Sequence, residues 1–262
     1  MSCCNDNTGA KNFLITGANR GLGLGLVREI LKNCCQSKVF ATVRDLHDCK
    51  DLKDLAIQYK NLHILKLDIT SQLDIDQLVK ELESVLKDEG LQYLINNAGV
   101  LTRVDPNKGV QFGIPPNIFG ESEESFMETY RVNVVGPFLL SRKLIPLLTK
   151  GASKNHNLDH SVIFNMGSFL GSNTLNKDGG YFSYRASKAA FHMLTKSFSI
   201  ELQEHKIMAI VISPGWVKTR MGGEGAQIEV DQSVQGMLKV LRNITLKDNG
   251  THIDYTGKVI PF

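Results

Sequence analysis

Residues 12–33 read "NFLITGANRGLGLGLVREILKN": an apolar run, a glycine-rich turn and a segment of helical period in direct succession. Gly17, Gly21 and Gly23 allow the backbone to turn tightly and to approach a ligand closely. The helix that follows offers its unpaired N–H groups and the positive end of its dipole to an anion. Strand, turn and helix together predict a site for a nucleotide pyrophosphate, although a glycine-rich turn alone also serves as a purely structural turn.

The same alternation of strand and helix continues along the chain. "KVFATV" precedes "DLKDLAIQY", "LHILKL" precedes "LDIDQLVKELESVLK", and the apolar runs "QYLIN", "SVIFNM" and "IMAIVIS" are separated by long helical stretches. Alternating strands and helices predict a parallel sheet, and nearly continuous apolar strands predict helices on both of its faces. No repeat or linker interrupts the pattern. We therefore expect residues 1–262 to form one α/β domain, a doubly wound Rossmann fold with a parallel sheet of about seven strands.

Three polar or glycine-rich segments break this rhythm, and each follows a predicted strand. They are residues 101–123, 168–180 and 214–231. Ligands of open parallel sheets bind outside the carboxyl ends of the strands, so these loops are candidate walls of a site. Ordinary surface loops have the same composition.

Composition excludes several classes of protein. A net charge of +3 with 22% charged residues is too mild for a nucleic-acid surface or a polybasic membrane tether. The polar start lacks a signal-peptide pattern, and no apolar run reaches the roughly 18 residues of a membrane span. The five cysteines form neither a disulfide framework nor a metal-ligand spacing: Cys3, Cys4, Cys34, Cys35 and Cys49. We expect a soluble cytoplasmic protein with reduced thiols and no metal.

Six motifs carry a resemblance that covers almost the whole chain. The turn has the spacing G-x-x-x-G-x-G rather than G-x-G-x-x-G. "NNAG" closes the fourth strand at 96–99, and "VN" lies at 132–133 in a long helix. "NMGS" ends the fifth strand at Ser168, Tyr184 and Lys188 form a Y-x-x-x-K pair, and "PGWVKT" begins at Pro214. In this order, the motifs resemble the short-chain dehydrogenase/reductase family.

Longer matches narrow the resemblance. "NRGLGLGLV", "DGGYFSYRASK" and "PGWVKTRMGG" look like the Sniffer and C-factor branch of NADPH-dependent carbonyl reductases. This branch implies a hydride transfer to aldehydes, ketones, dicarbonyls or quinones, lipid-derived aldehydes among them. The family also implies pairing of subunits through the long helices that carry Asn133 and Tyr184, and hence a homodimer or homotetramer.

The end of the second strand indicates which dinucleotide is bound. An acid there would bond the ribose 2′-hydroxyl and repel a 2′-phosphate, but the position holds Val43, followed by Arg44. A guanidinium suits a phosphate, and Arg20 offers a second one, so we predict NADPH. Two exposed loop arginines are the plain alternative, and Asp45 would oppose the prediction if the register shifted by one residue.

The resemblance assigns further positions to the cofactor. Asp68 and Ile69 match the adenine contacts of the family, although Asp68 could instead cap the helix that begins near Ser71. The complete expected set is Gly17, Asn19, Arg20, Gly21, Leu22, Gly23, Arg44, Asp68, Ile69, Asn97, Ala98, Gly99, Tyr184, Lys188, Pro214, Gly215, Val217 and Thr219.

Tyr184 and Lys188 are four residues apart and share one helical face. A phenol ionises near 10, and a neighbouring ammonium lowers that pKa, so we expect Lys188 to tune Tyr184 as a proton donor. The resemblance implies that Ser168 orients the substrate oxygen and that Asn133 holds a water in a proton relay from Lys188. A serine at a strand end is otherwise a cap, and an asparagine in a helix is otherwise a local bonding feature. The residues between the pair, 185–187, look like scaffold.

An apolar substrate pocket is expected over the nicotinamide. Ser168, Phe169, Tyr184 and Trp216 are the predicted substrate contacts, with residues 214–231 as the substrate-binding loop. Leu170, Phe182 and Met221 are further candidates, although all the apolar members could equally be core residues.

A regulator that kept the fold and lost turnover is the competing class of function. An inactive sensor has no need of four intact reacting groups, and all four are present here. An enzyme of the same family acting on nucleotide sugars is disfavoured because no extra substrate domain follows the sixth strand.

Overall fold

The computed structural model describes residues 11–34, 36–101, 118, 120–154 and 158–262. Within them, the strands are β1 (Phe13–Ile15), β2 (Val39–Val43), β3 (Leu62–Lys66), β4 (Tyr93–Asn96), β5 (Ser161–Met166), β6 (Ile207–Ser213) and β7 (His252–Asp254). They form one sheet in the order β3-β2-β1-β4-β5-β6-β7, and every neighbouring pair is parallel. The predicted doubly wound α/β fold is confirmed.

Helices cover both faces of this sheet. They are α1 (Gly21–Asn33), α2 (Lys50–Gln58), α3 (Gln72–Leu86), α4 (Glu123–Tyr130), α5 (Gly136–Ala152), α6 (Phe182–Glu201) and α7 (Val230–Asn243). One apolar core lies under α1, α2 and α7, and the other lies under α3, α5 and α6. Phe13 and Ile15 point into the first core and Leu14 into the second. Because successive side chains of a strand point to opposite faces, a strand covered on both faces is apolar throughout.

The strand order reverses between β1 and β4. From β1 the chain moves outward through β2 to the edge strand β3, and it then returns to place β4 on the other side of β1. The loops that leave these two central strands therefore diverge, and a crevice opens between them at their carboxyl ends. The glycine-rich turn after β1 and the "NNAG" segment after β4 meet at this crevice.

Helix α4 continues into α5 through a π-helical turn, Arg131–Val135. Such turns widen a helix locally and are frequent at functional sites. The continuous stretch 123–152 has the length and apolar content of a membrane span, but half of its most apolar window is buried inside the domain. The π turn presents Asn133 to the interior beside α6.

Candidate active site

The turn after β1 can be formed only by glycines at two of its positions. Gly17 has a φ of +65°, and a Cβ atom there would lie 2.9 Å from the Cα of Ala98. A Cβ on Gly23 would lie 2.4 Å from the carbonyl oxygen of Gly17. Helix α1 has no side-chain cap and no acid in its first turn. Its N–H groups and positive end are thus left to a ligand, as a pyrophosphate site requires.

A second contact set joins this turn to the end of β4. The hydroxyl of Thr16 accepts hydrogen bonds from the backbone N–H groups of Asn97 and Ala98, at 3.0 and 2.9 Å. The side-chain amide of Asn97 donates to the carbonyl oxygens of Thr16 and Gly17, at 2.8 and 3.1 Å. "NNAG" therefore holds the shape of the glycine-rich turn, and Thr16 is a member of the site that the sequence analysis did not single out.

Asp48 occupies the exposed outer end of the turn. It accepts hydrogen bonds from Asn19 through its backbone carbonyl and its carboxylate, at 3.1 Å in both cases, and its carboxylate lies 3.4 Å from Arg20 Nη1. Asp45, the residue that could have opposed the NADPH prediction, accepts from the N–H of His47 within its own turn. The acid that pairs with Arg20 is therefore Asp48. It lies three residues further along the chain than Asp45, the acid named in the sequence analysis.

A cavity of about 330 Å³ lies beside Arg44, between the end of β3 and helix α4. Its lining residues are Arg44, Asp68, Thr70, Glu124, Met127, Glu128, Arg131 and Val132. The carboxylate of Asp68 accepts from the backbone N–H and the hydroxyl of Thr70, at 2.9 and 2.7 Å. Helix α3 is capped by Ser71, so the alternative that Asp68 caps this helix is wrong.

Ser168, Tyr184 and Lys188 converge at the carboxyl end of β5. The Ser168 side chain lies close enough to the Tyr184 phenol to lower its pKa, and the hydroxyl of Ser168 accepts from the N–H of Leu170 at 3.1 Å. Lys188 Nζ donates to the carbonyl oxygen of Met166 at 2.7 Å and lies 5.6 Å from the centre of the Tyr184 ring. All three side chains are buried. They are therefore held before any substrate binds.

The expected lowering of the Tyr184 pKa is wrong for this structure. Burial raises the pKa of the phenol to about 12, and the nearby Ser168 side chain opposes only part of that rise. Burial also lowers the pKa of Lys188 to about 8. Both shifts have one cause, because a site closed to water disfavours a phenolate and an ammonium alike. Lys188 directs its proton to Met166, and its charge does not offset the burial of the phenol.

Both the oxygen and the nitrogen of the Asn133 side chain, in the π turn, form hydrogen bonds. Its oxygen accepts from the N–H of Val100 at 2.8 Å, and its amide donates to the carbonyl of Val100 at 2.9 Å and to the hydroxyl of Ser187 at 3.1 Å. Ser187 in turn donates to the carbonyl of Tyr184 at 2.8 Å. The expectation that residues 185–187 are only scaffold is therefore wrong for Ser187, which links Asn133 directly to the helical turn that begins at Tyr184. No polar contact joins Asn133 to Lys188 among the described residues.

Comparison with known proteins identifies the family. The sequence profile of the short chain dehydrogenase family matches residues 11–229. The chain belongs to this family. The carbonyl reductase Sniffer of D. melanogaster has a TM-score of 0.89 at 37% identity, over 97% of this chain and 100% of that chain. An NADPH-bound carbonyl reductase from chicken fatty liver has a TM-score of 0.86 at 38% identity, with the same coverage. The C-signal protein of Myxococcus xanthus is 32% identical over 170 residues, 64% of this chain and 91% of that protein.

The loop of this short-chain dehydrogenase after β6 folds back toward the glycine-rich turn. Gly215 has a φ of +83°, Val217 is buried and pairs with Ile228, and Pro214 accepts from Ser233. A Cβ on Gly21 would lie 3.4 Å from the methyl group of Thr219. "PGWVKT" and the glycine-rich turn, which are far apart in sequence, therefore flank the same space.

Apolar side chains lie exposed on two of the loops at the carboxyl ends of the strands. Phe169, Phe182, Trp216 and Met221 are each between 37 and 49% exposed, so they are not core residues. The indole N–H of Trp216 donates to the carbonyl of Gly222, which holds the ring against Gly225. Leu170 is only half-exposed. Most of the first candidate wall, 102–117 and 119, lies outside the described residues.

Three further residues around the site were missed in the sequence. Arg131 lines the cavity beside Arg44, Glu121 accepts from the N–H and hydroxyl of Ser183 at the start of α6, and His192 contacts the Ser168 backbone. Periodicity could have found one of them, because His192 lies four residues after Lys188 on the same helical face. The other two depend on contacts between distant segments, for which the sequence carries no signal.

Proposed function

We propose that this oxidoreductase is an NADPH-dependent carbonyl reductase that acts on aldehydes, ketones, dicarbonyls or quinones. One observation carries the proposal: Ser168, Tyr184 and Lys188 are buried together at the carboxyl end of β5. This site lies beside the crevice formed by the glycine-rich turn and "NNAG". The NADPH-bound chicken carbonyl reductase, at 38% identity, supports the choice of cofactor.

The described residues fit such a dinucleotide. The two glycines that cannot carry a Cβ atom, Gly17 and Gly23, leave the backbone open to the pyrophosphate. Arg44 and Arg131 line one cavity, and Arg20 lies at the exposed end of the glycine-rich turn, so these guanidiniums are the cations that we propose for a 2′-phosphate. The remaining members of the proposed set are Asn19, Gly21, Leu22, Asp68, Ile69, Asn97, Ala98, Gly99, Tyr184, Lys188, Pro214, Gly215, Val217 and Thr219.

The burial of the reacting groups favours reduction over oxidation. When bound, the cofactor supplies a hydride to the carbonyl carbon. Tyr184 donates its phenolic proton to the oxygen, which would otherwise become an alkoxide, and Ser168 holds that oxygen by a hydrogen bond. A phenol with a pKa of about 12 is fully protonated at neutral pH and is still a far stronger acid than an alcohol. The same phenol is a poor base for the reverse reaction.

Lys188 is the proposed proton source for the phenolate left after proton transfer, with its Nζ atom 5.6 Å from the centre of the Tyr184 ring. With a pKa of about 8 it is charged at neutral pH and can also lose its proton there at modest cost. We propose that it restores the Tyr184 proton, and that Asn133 anchors the water through which Lys188 exchanges with solvent. Gly99 supports this placement, because a Cβ on it would lie 3.2 Å from Asn133 Oδ1 and 3.9 Å from Lys188 Nζ.

The exposed apolar side chains define the proposed substrate side. Phe169, Trp216 and the loop 214–231 would contact the body of the substrate, while Ser168 and Tyr184 bind its carbonyl. Aromatic faces favour bulky or planar carbonyl compounds over small hydroxy acids. We further propose one domain over residues 1–262, a cytoplasmic location and a homodimer or homotetramer, which fractionation of cells and sedimentation would test.

A regulatory protein of the same fold remains the second candidate, because the C-signal protein is 32% identical. The test is a panel of quinones, dicarbonyls and aldehydes, with oxidation of NADPH and of NADH followed by absorbance. We expect turnover of several carbonyls with a lower KM for NADPH. Binding of NADPH without turnover of any of them would favour the regulator, and a KM for NADH equal to or below that for NADPH would overturn the cofactor assignment.

A further inference from the structure

His192 extends the line of reacting residues on α6 by one more turn. Tyr184, Lys188 and His192 are spaced by four residues, and all three are buried. The Nε2 atom of His192 accepts a hydrogen bond of 3.4 Å from the backbone N–H of Ser168. We propose that His192 is a positioning residue for Ser168. As a neutral imidazole, it fixes residues 167–171, here called the serine loop, to helix α6, which carries Tyr184. This inference rests on the proposed carbonyl reduction.

The ring of His192 is wedged under both ends of the serine loop. A Cβ on Gly167 would lie 2.7 Å from His192 Nε2, and a Cβ on Gly171 would lie 2.6 Å from its Cε1. Ser168 lies between these two glycines. Because neither glycine could carry a side chain there, the loop rests directly on the imidazole, and a change in the ring is transmitted to Ser168.

Hydrogen bonding selects one tautomer of this histidine. Nε2 accepts from Ser168, so the ring proton lies on Nδ1. Nδ1 is buried and has no hydrogen-bond partner among the described residues. A buried donor without a partner costs stability, and the Nδ1–H of His192 is such a donor on the ring that binds Ser168. The Nδ1 atom of the neighbouring His252 is likewise buried without a partner among the described residues, so the argument for His192 rests on its contact with Ser168.

Behind His192 lies a second buried histidine. The rings of His192 and His252 are 4.5 Å apart between centroids, and Phe262 packs on both, at 5.9 and 5.8 Å. The Nε2 of His252 is hydrogen-bonded to the hydroxyl of Ser213 at 2.7 Å. The residue before Phe262, Pro261, accepts from Ser172 at 2.6 Å. His252 and Phe262 therefore pack against His192, and the neighbouring Pro261 binds Ser172, the residue that follows the serine loop.

The surroundings keep His192 uncharged. Burial lowers its pKa to about 3, and the neighbouring His252 and Lys188 oppose a positive charge further. A neutral ring retains the acceptor lone pair that Ser168 requires, whereas an imidazolium would present a second donor to the Ser168 N–H. The ring therefore stays neutral at every pH well above 3.

Glutamine and methionine make a matched pair at this position. The side-chain amide of glutamine reaches about as far as Nε2 and offers an acceptor, while methionine has similar length and no comparable acceptor. We expect His192→Met to lower kcat for carbonyl reduction roughly 10- to 100-fold, the loss that a misplaced reacting group causes. His192→Gln should recover most of that loss. The dissociation constant for NADPH should be unchanged in both, and Met193→Ala, on the exposed side of α6, should match the wild type.

Equal kcat in the glutamine and methionine variants would overturn the proposal, because packing alone would then explain the residue. A readout that needs no turnover is the nitrogen spectrum of the wild-type enzyme labelled in histidine. We expect His192 to carry its proton on Nδ1 at neutral pH, with Nε2 coupled to the Ser168 amide. A proton on Nε2 would overturn the proposal. If no carbonyl is reduced by the wild type, the proposed function fails, and the spectrum still decides whether His192 holds Ser168.

Discussion

The two halves of the proposed active site differ in whether their charged and titratable groups are exposed or buried. On the cofactor side, Arg20 and Asp48 form an ion pair whose side chains are 56 and 70% exposed. On the reacting side, Lys188 and Tyr184 are buried, and each of them has a strongly shifted pKa. Exposed charges are screened by water and salt, while buried ones are not. We therefore expect substitutions on the proposed cofactor side to have moderate, salt-dependent effects on binding. On the reacting side, removal of a single hydroxyl or amino group should have a large effect on kcat.

The two sides of the proposed site also differ in how their residues are hydrogen-bonded to one another. Ser187 links Asn133 to the Tyr184 turn, and His192 links Ser168 to the same helix. On the proposed cofactor side, hydrogen bonds of Thr16 and Asn97 hold the glycine-rich turn, but the charged groups Arg20 and Asp48 form only an exposed pair. Networks of buried hydrogen bonds are strongly coupled, whereas exposed ion pairs act nearly independently. Five predictions test this contrast, from the largest expected effect to the smallest.

The largest effect is expected for Tyr184→Phe. Removal of the phenolic hydroxyl deletes the proton donor, so kcat for carbonyl reduction should fall roughly 10²- to 10⁴-fold. Affinity for NADPH, measured by fluorescence titration, should change little because the ring remains. Tyr130→Phe, at an exposed position of α4, is the control and should retain full activity. Near-wild-type turnover in Tyr184→Phe would refute the role assigned to the phenol.

A second prediction concerns the pH profile. Since burial lowers the pKa of Lys188 to about 8, the ammonium is present below that pH and lost above it. The value of kcat/KM should therefore fall above pH 8, by about tenfold per pH unit. Lys188→Arg should remove this decline and also lower kcat, because a guanidinium keeps its proton and cannot return one to Tyr184. A flat wild-type profile up to pH 10 would contradict the assignment.

The lowered pKa of Lys188 also predicts the direction in which stability changes with pH. In the unfolded chain Lys188 keeps its proton up to its ordinary pKa of 10.5. Between pH 8 and pH 10.5 the unfolded state binds more protons, so this residue makes the free energy of unfolding rise with pH. Lys188→Met should remove that contribution, which urea unfolding at several pH values would measure.

On the exposed side we expect smaller changes. Arg44→Ala should weaken binding of NADPH about tenfold at low salt and leave NADH nearly unaffected, since only NADPH carries the 2′-phosphate. The difference should shrink as salt is added. Lys53→Ala, on the outer face of α2, is a matched loss of one exposed charge and should not distinguish the two cofactors. Equal weakening of both cofactors by Arg44→Ala would exclude a phosphate contact.

The smallest effect is expected for Asp48→Asn. Asp48 competes with a 2′-phosphate for Arg20, and exposed pairs of this kind are weak, so affinity for NADPH should rise at most about fivefold. The asparagine can still bond Asn19 and keep the loop in place. If this change exceeded the effect of Tyr184→Phe, the contrast between the two halves of the site would be wrong.

Local motifs predicted much of the fold and the positions of the proposed reacting groups. Gly17 and Gly23 were identifiable because a turn without space for Cβ atoms admits only glycine. Spacing of four residues placed Tyr184 and Lys188 on one face, as the structure confirms. Spacing could not reveal how deeply the pair is buried, and the expected direction of the Tyr184 pKa was therefore wrong.

The sequence by itself determined the order of strands and helices along the chain, the glycine-rich turn and the identity of the polar side chains, because these depend on residues close together in the chain. Only the tertiary structure decided their environment. Asp48 reaches Arg20 across 28 positions, Ser187 reaches Asn133 across 54, and His192 reaches Ser168 across 24. Burial, pKa and hydrogen-bond partners are set by what packs from distant segments, and local sequence carries no measure of it.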